Sequence, residues 1–99
     1  MPSKSNEYAY EASTIDSKSV TTTSSTVLPE NLKRRAAVIV NTGAADVYLA
    51  TGRTAEANKG ICLKAGGGAF ELHSQNLTHA VINAVTGSGT STLSLHEGT

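Results

Sequence analysis

The 99-residue sequence predicts an all-β fold: a small antiparallel β-sandwich (or barrel-like) domain with an extended N-terminal arm. Short runs of Val, Ile, Leu and Ala recur between Gly-containing turns at roughly 8–12-residue intervals, the rhythm of a sandwich or barrel. No segment sustains the 3.6-residue period of an amphipathic helix, and "RTAEANK" is too short for more than a helical turn. The first 26 residues stand apart, rich in Ser and Thr and ending in "TTTSST". The expected organisation is therefore an arm over residues 1–26 and a β-domain over residues 27–99.

The arm carries too little apolar surface to fold alone. Its β-branched Thr content, with Val20 and Val27 at the ends of the tract, suits an extended strand once a neighbour is available. Tyr8 and Tyr10, two apart, project from one side of such a strand. These four residues are the expected partner-binding positions of the arm, which orders on its partner.

"LPENLKRR" follows as a corner pinned by Pro29. "AAVIVN" (36–41) reads as a strand, "TGAA" as a turn and "DVYLA" (46–50) as the returning strand of a hairpin. A long polar connection leads to "ICLK" (61–64). "AGGG" is a hairpin turn needing positive φ, and "AFELH" (69–73) follows it. "AVINAV" (80–85), apolar on both faces, is expected at the centre of a sheet. "TLSLHE" (92–97) comes last. Alternation along these strands assigns an interior of Ala37, Ile39, Val47, Leu49, Ile61, Leu63, Phe70, Leu72, Leu93 and Leu95.

Each aliphatic side chain contributes about 1.5–3 kcal/mol when fully buried, and there is no tryptophan, so this core is small. A domain of this size is marginal alone, which predicts a homo-oligomer. Val38 and Val40 face away from the assigned interior, with Tyr48 expected on their side of the hairpin. An outward apolar strip of this kind predicts a subunit contact. The basic cluster Lys33 to Arg35 opens the strand, and Arg34 and Arg35 are expected to reach carboxylates of a neighbour.

No arrangement of catalytic residues is visible. His73, His79 and His96 are spaced by 6 and 17 with a single cysteine, Cys62, and this does not match a metal-ligand pattern. "AGGG" follows a lysine but precedes no helix, so it is not a phosphate loop. "GSGTS" is not the Gly-x-Ser-x-Gly elbow. Acidic residues are scattered, and the expectation is no enzyme, no catalytic residues, no metal and no cofactor. The 8 basic and 8 acidic residues balance, which argues against free nucleic acid as a partner. There is no apolar run long enough for a membrane helix. The N-terminus lacks a hydrophobic signal core, so folding is expected in the compartment of synthesis. "NLT" matches a glycosylation sequon by accident in that setting.

A set of residues then resembles a known group. Arg34 and Arg35 open a strand, Asn41 and Gly43 make an Asn-x-Gly turn, and Asp46, Val47 and Tyr48 begin the return. Gly60, Ile61 and Leu63 precede a turn with Gly66 and Gly67, and the last strand ends in Glu97. Over about residues 27–98 this pattern resembles small bacteriophage virion β-sandwich proteins, either capsid decoration (cement) proteins or modules associated with tails and fibres. Ala36, Val38 and Val40 are more apolar than that pattern suggests, and the arm is additional. Both differences favour a subunit packed into an assembly. The resemblance implies a virion structural protein made in the host cytoplasm, a decoration subunit bound to the major capsid protein or other virion subunits. The alternative it implies is a tail or fibre module for virion assembly or host glycan binding.

Overall fold

The computed structural model describes residues 11–99. Tyr8 and Tyr10 lie outside the described residues. The chain forms eight strands: β1 (Ser13–Val20), β2 (Ser25–Leu28), β3 (Ala36–Asn41), β4 (Val47–Thr51), β5 (Ile61–Leu63), β6 (Ala69–Leu72), β7 (Ile82–Thr86) and β8 (Ser91–Gly98). They make two four-stranded sheets, here called A (order β1-β8-β3-β6) and B (order β2-β7-β4-β5). Every pairing is antiparallel.

The pairings reveal how the chain is wound. β1 pairs with β8, β2 with β7, β3 with β6, and β4 with β5. The molecule is thus one long antiparallel hairpin with its tip between β4 and β5. Rolling that hairpin brings β8 against β3 and β7 against β4. Eight strands wound in this order form a jelly roll.

The winding corrects the local turn assignments. "TGAA" and "AGGG" do not close hairpins, because each carries the chain from one sheet to the other. The glycines still do the work their sequence suggests, with Gly66 and Gly67 at φ of 75° and 134°. "AVINAV" does take a central place, since β7 lies between β2 and β4.

The core between the sheets contains Ala37, Ile39, Val47, Leu49, Leu63, Leu72, Leu93 and Leu95 as alternation requires, with Ile61 and Phe70 partly buried against it. Val20, Val27, Leu28, Ile82 and Ala84 complete it. The boundary expected at residues 26 and 27 therefore falls inside β2, and the Ser/Thr-rich segment from Ser13 onward belongs to the domain. Val20 and Val27 are buried in this chain's own core and are not surface positions for another subunit. The physical reason is that an edge strand needs little apolar surface. β1 is held by its ladder to β8 and by Val20, while its other seven residues are exposed.

Candidate interaction faces

Two buried polar side chains staple the two ends of the sandwich. Arg34, 1% exposed, donates through Nη1 to the carbonyls of Thr78 (2.9 Å) and Ala80 (3.0 Å). Its Nη2 donates to the carbonyl of Pro29 at 2.7 Å, and its Nε pairs with the carboxylate of Glu97. The guanidinium so joins the β2–β3 connection, the β6–β7 connection and β8. A fork of fixed donors suits this task in a way a lysine would not. Arg34 is consequently not the subunit contact expected from the "KRR" cluster, because its side chain is buried and four of its five N–H donors are spent inside the chain. Arg35 is exposed at the head of β3, and its N–H donates to Gly98.

Asn41 is the staple at the other end. Its amide nitrogen donates to Ala45 (2.8 Å) and Leu63 (2.9 Å), and its oxygen accepts from the Gly43 N–H (3.1 Å) and Ser91 Oγ (2.7 Å). Gly43 is required here by space, since a Cβ would lie 2.2 Å from Ser91 Oγ and 2.6 Å from the Thr92 nitrogen. Nearby, Asp46 accepts from Lys64 Nζ at 2.9 Å and from the Ala65 N–H at 2.8 Å. The Lys64 ammonium, then the Ala65 N–H, hold the Asp46 carboxyl below its ordinary 3.8, and Asp46 in turn raises Lys64.

The outer face of sheet B is roofed by the chain itself. The connection of residues 52–60 is tied down by Gly52 N–H to Val81 (2.7 Å), Asn83 Nδ2 to the Arg53 carbonyl (2.7 Å) and Ala55 N–H to Ser24 Oγ (2.9 Å). Tyr48 hydroxyl donates to Asn58 Oδ1 at 3.0 Å. Val85 points outward from β7 yet is buried, and Ala55 is buried with it. Beside this roof an open cleft of about 680 Å³ lies among Asp46, Tyr48, Asn58 and residues 87–90.

The outer face of sheet A has no such cover among the described residues. Register places Ile15, His96, Val38 and Glu71 in one row across the four strands, and Ser17, Ser94, Val40 and Ala69 in the next. Ala36 extends the patch on β3. Ile15 is 80% exposed, and Val38 and Val40 are half-buried. The face is small-residue and aliphatic, with Glu71 and His96 in its Ile15 row.

The expected strip of Val38, Val40 and Tyr48 is therefore divided. Val38 and Val40 lie on the outside of sheet A, and Tyr48 on the outside of sheet B, because β3 and β4 belong to different sheets. Sequence reading misses Ile15 as a member of the sheet A face, since its Ser/Thr-rich segment reads as an arm. It also misses the staple roles of Asn41 and Glu97, although both stand in the residue pattern described above. Among the described residues no three His, Cys, Asp or Glu side chains converge. Comparison with protein-family models, with curated proteins and with solved structures finds no match to this chain.

Proposed function

We propose that this chain is a phage virion structural protein, a decoration or cement subunit that stabilises the head shell by docking on the major capsid protein. The observation that carries the reading is the asymmetry of the two sheets. Sheet B is roofed by residues 52–60, whereas the aliphatic face of sheet A is bare among the described residues. The aliphatic members of that face, Ile15, Val38, Val40 and Ala69, are the kind of exposed apolar surface a subunit contact buries, with Ser17, Ser94, His96 and Glu71 as its polar part. The jelly-roll winding adds a fold-level analogy, since capsid proteins use it, as do lectin domains and cupins.

The mechanism is mechanical. Four strands about 4.8 Å apart and about 20 Å long present a face of about 400 Å². That is about half of what each partner gives to a standard stable interface. One subunit so docked binds weakly; the stabilisation of the shell sums over its many sites, and the attachment itself strengthens where copies are joined to one another. Made in the host cytoplasm, the protein would act in the assembled virion.

The cleft beside Tyr48 favours a second reading, a tail or fibre module that binds a host glycan, with Tyr48 as its aromatic platform. Counting copies per purified particle by quantitative mass spectrometry separates the two. Cement requires on the order of hundreds of copies, whereas a tail or fibre module requires about a dozen or fewer.

A further inference from the structure

Among the described residues β1 is the long free edge of sheet A. Among the described residues its only strand neighbour is β8. The Thr99 N–H donates to the Ala12 carbonyl at 2.8 Å, and the register continues from there as Ser13 opposite Gly98. Backbone groups alternate along an antiparallel strand. Thr14, Asp16, Lys18 and Val20 thus direct their N–H and C=O groups to β8, and Ser13, Ile15, Ser17 and Ser19 direct theirs to the open side. The Ser17 N–H bears this out, being capped at 2.8 Å by the side chain of Asp16 and not by a strand. An eight-residue edge without proline or bulge is a template for another strand.

We propose that the other strand is β1 of a second copy of this chain, paired antiparallel about a two-fold axis at Ser17. Symmetry and charge select that register. A two-fold axis normal to the sheet sets residues of one face opposite each other. Centred on Asp16 or Lys18, it would oppose like charges. Centred on Ile15, it would leave both charges facing uncharged residues over a shorter overlap. Centred on Ser17, it sets Asp16 opposite Lys18 of the second copy, twice over. These are the non-hydrogen-bonded positions, where Cα atoms approach to about 4.5 Å and side chains are closest. Ser17 then exchanges N–H and C=O with Ser17 of the second copy, and Ile15 exchanges with Ser19 of the second copy. Within one chain Asp16 already holds Lys18 at 3.5 Å in an exposed pair. On pairing, the Asp16 carboxylate leaves the Ser17 N–H for Lys18 of the second copy.

The result is one continuous eight-stranded sheet, and the two bare faces of sheet A lie side by side on the same surface. The docking face of the proposed function doubles to about 800 Å², the usual share of one partner in a stable complex. This last consequence rests on that function, whereas the pairing itself does not.

Sedimentation equilibrium of the purified full chain tests the pairing, with circular dichroism to check that each variant is folded. Wild type should form a concentration-dependent dimer. Asp16→Lys and Lys18→Asp should each weaken it at least about tenfold, because each sets like charges opposite one another. An equimolar mixture of the two variants should regain wild-type affinity, since each then offers what the other needs. Ser17→Pro should abolish the dimer while the domain stays folded, because the N–H it removes faces away from β8. A monomeric wild type, an Asp16→Lys dimer as tight as wild type, or a mixture that stays monomeric would each overturn the pairing. None of these outcomes bears on whether the sheet A face binds shells.

Discussion

Arg34→Ala should be among the most damaging single substitutions in this chain. The guanidinium satisfies three carbonyls from two connections and pairs with Glu97. Its side chain is 0% exposed and that of Glu97 only 12%. Removing one member of a buried pair costs about 3–5 kcal/mol, chiefly because the charge left behind has lost its partner. The stranded carbonyls of Thr78 and Ala80 add about 1 kcal/mol or more, while Pro29 is exposed and water can replace its bond. The expected loss is about 4–6 kcal/mol, a large part of the roughly 5–15 kcal/mol that holds a typical domain together. Arg34→Lys keeps the charge but not the fork, and should recover about half of that loss. Urea unfolding followed by far-ultraviolet circular dichroism gives the values directly. A loss below about 1 kcal/mol for Arg34→Ala would refute the staple. It would also return Arg34 to the surface role that its basic neighbours suggest.

Two further substitutions follow from the other end of the sandwich. Asn41→Ala should cost about 2–4 kcal/mol by the same measurement, because it leaves the Leu63 carbonyl and the Ser91 hydroxyl without partners in a buried site. The Asp46–Lys64 pair predicts a pH window. Asp46 is lowered, so its stabilisation is full above its ordinary 3.8 and fades as pH falls through the lowered value. Lys64 is raised, so its share is full below 10.5 and fades as pH rises beyond it. The melting-temperature gap between wild type and Asp46→Asn should accordingly shrink as pH falls below 3.8, and shrink with salt because the pair is exposed. A gap independent of pH would show that the pair contributes nothing through charge.

Much of the fold was legible in local pattern. Alternation found the inward set from Ala37 to Leu95, because strands buried on one face repeat with period two. Glycine chemistry marked the turn at Gly66 and Gly67. The destination of the chain after each turn was not legible. A link such as residues 42–46 can close a hairpin or cross to the opposite sheet, and the deciding contacts are distant. Asn41 reaches Leu63 and Ser91, 22 and 50 residues away. Arg34 reaches Glu97 across 63 residues, so nothing near "KRR" announces a buried ion pair. Val20 and the strand before it were hidden by composition, since a Ser/Thr-rich segment reads as a tail unless an unpaired partner strand is known. The sheet A face was half visible, in Val38 and Val40. Placing Tyr48 with them required the hairpin that the winding rules out.

If the protein is the proposed decoration subunit, the bare face of sheet A is the surface that docks on the shell. The most direct test compares the binding of wild type, Val40→Lys and Tyr48→Ala to capsid shells stripped of the protein, measured as copies bound per shell after sedimentation. Val40→Lys sets a charge where a docked face has no water to solvate it, and each Tyr48→Ala chain keeps that face intact. Val40→Lys, still folded, should bind at least about tenfold more weakly, a loss of about 1.4 kcal/mol per site. Tyr48→Ala should bind like wild type. Normal binding by Val40→Lys together with its loss in Tyr48→Ala would rule out docking through sheet A and place the contact at the roofed side of the molecule.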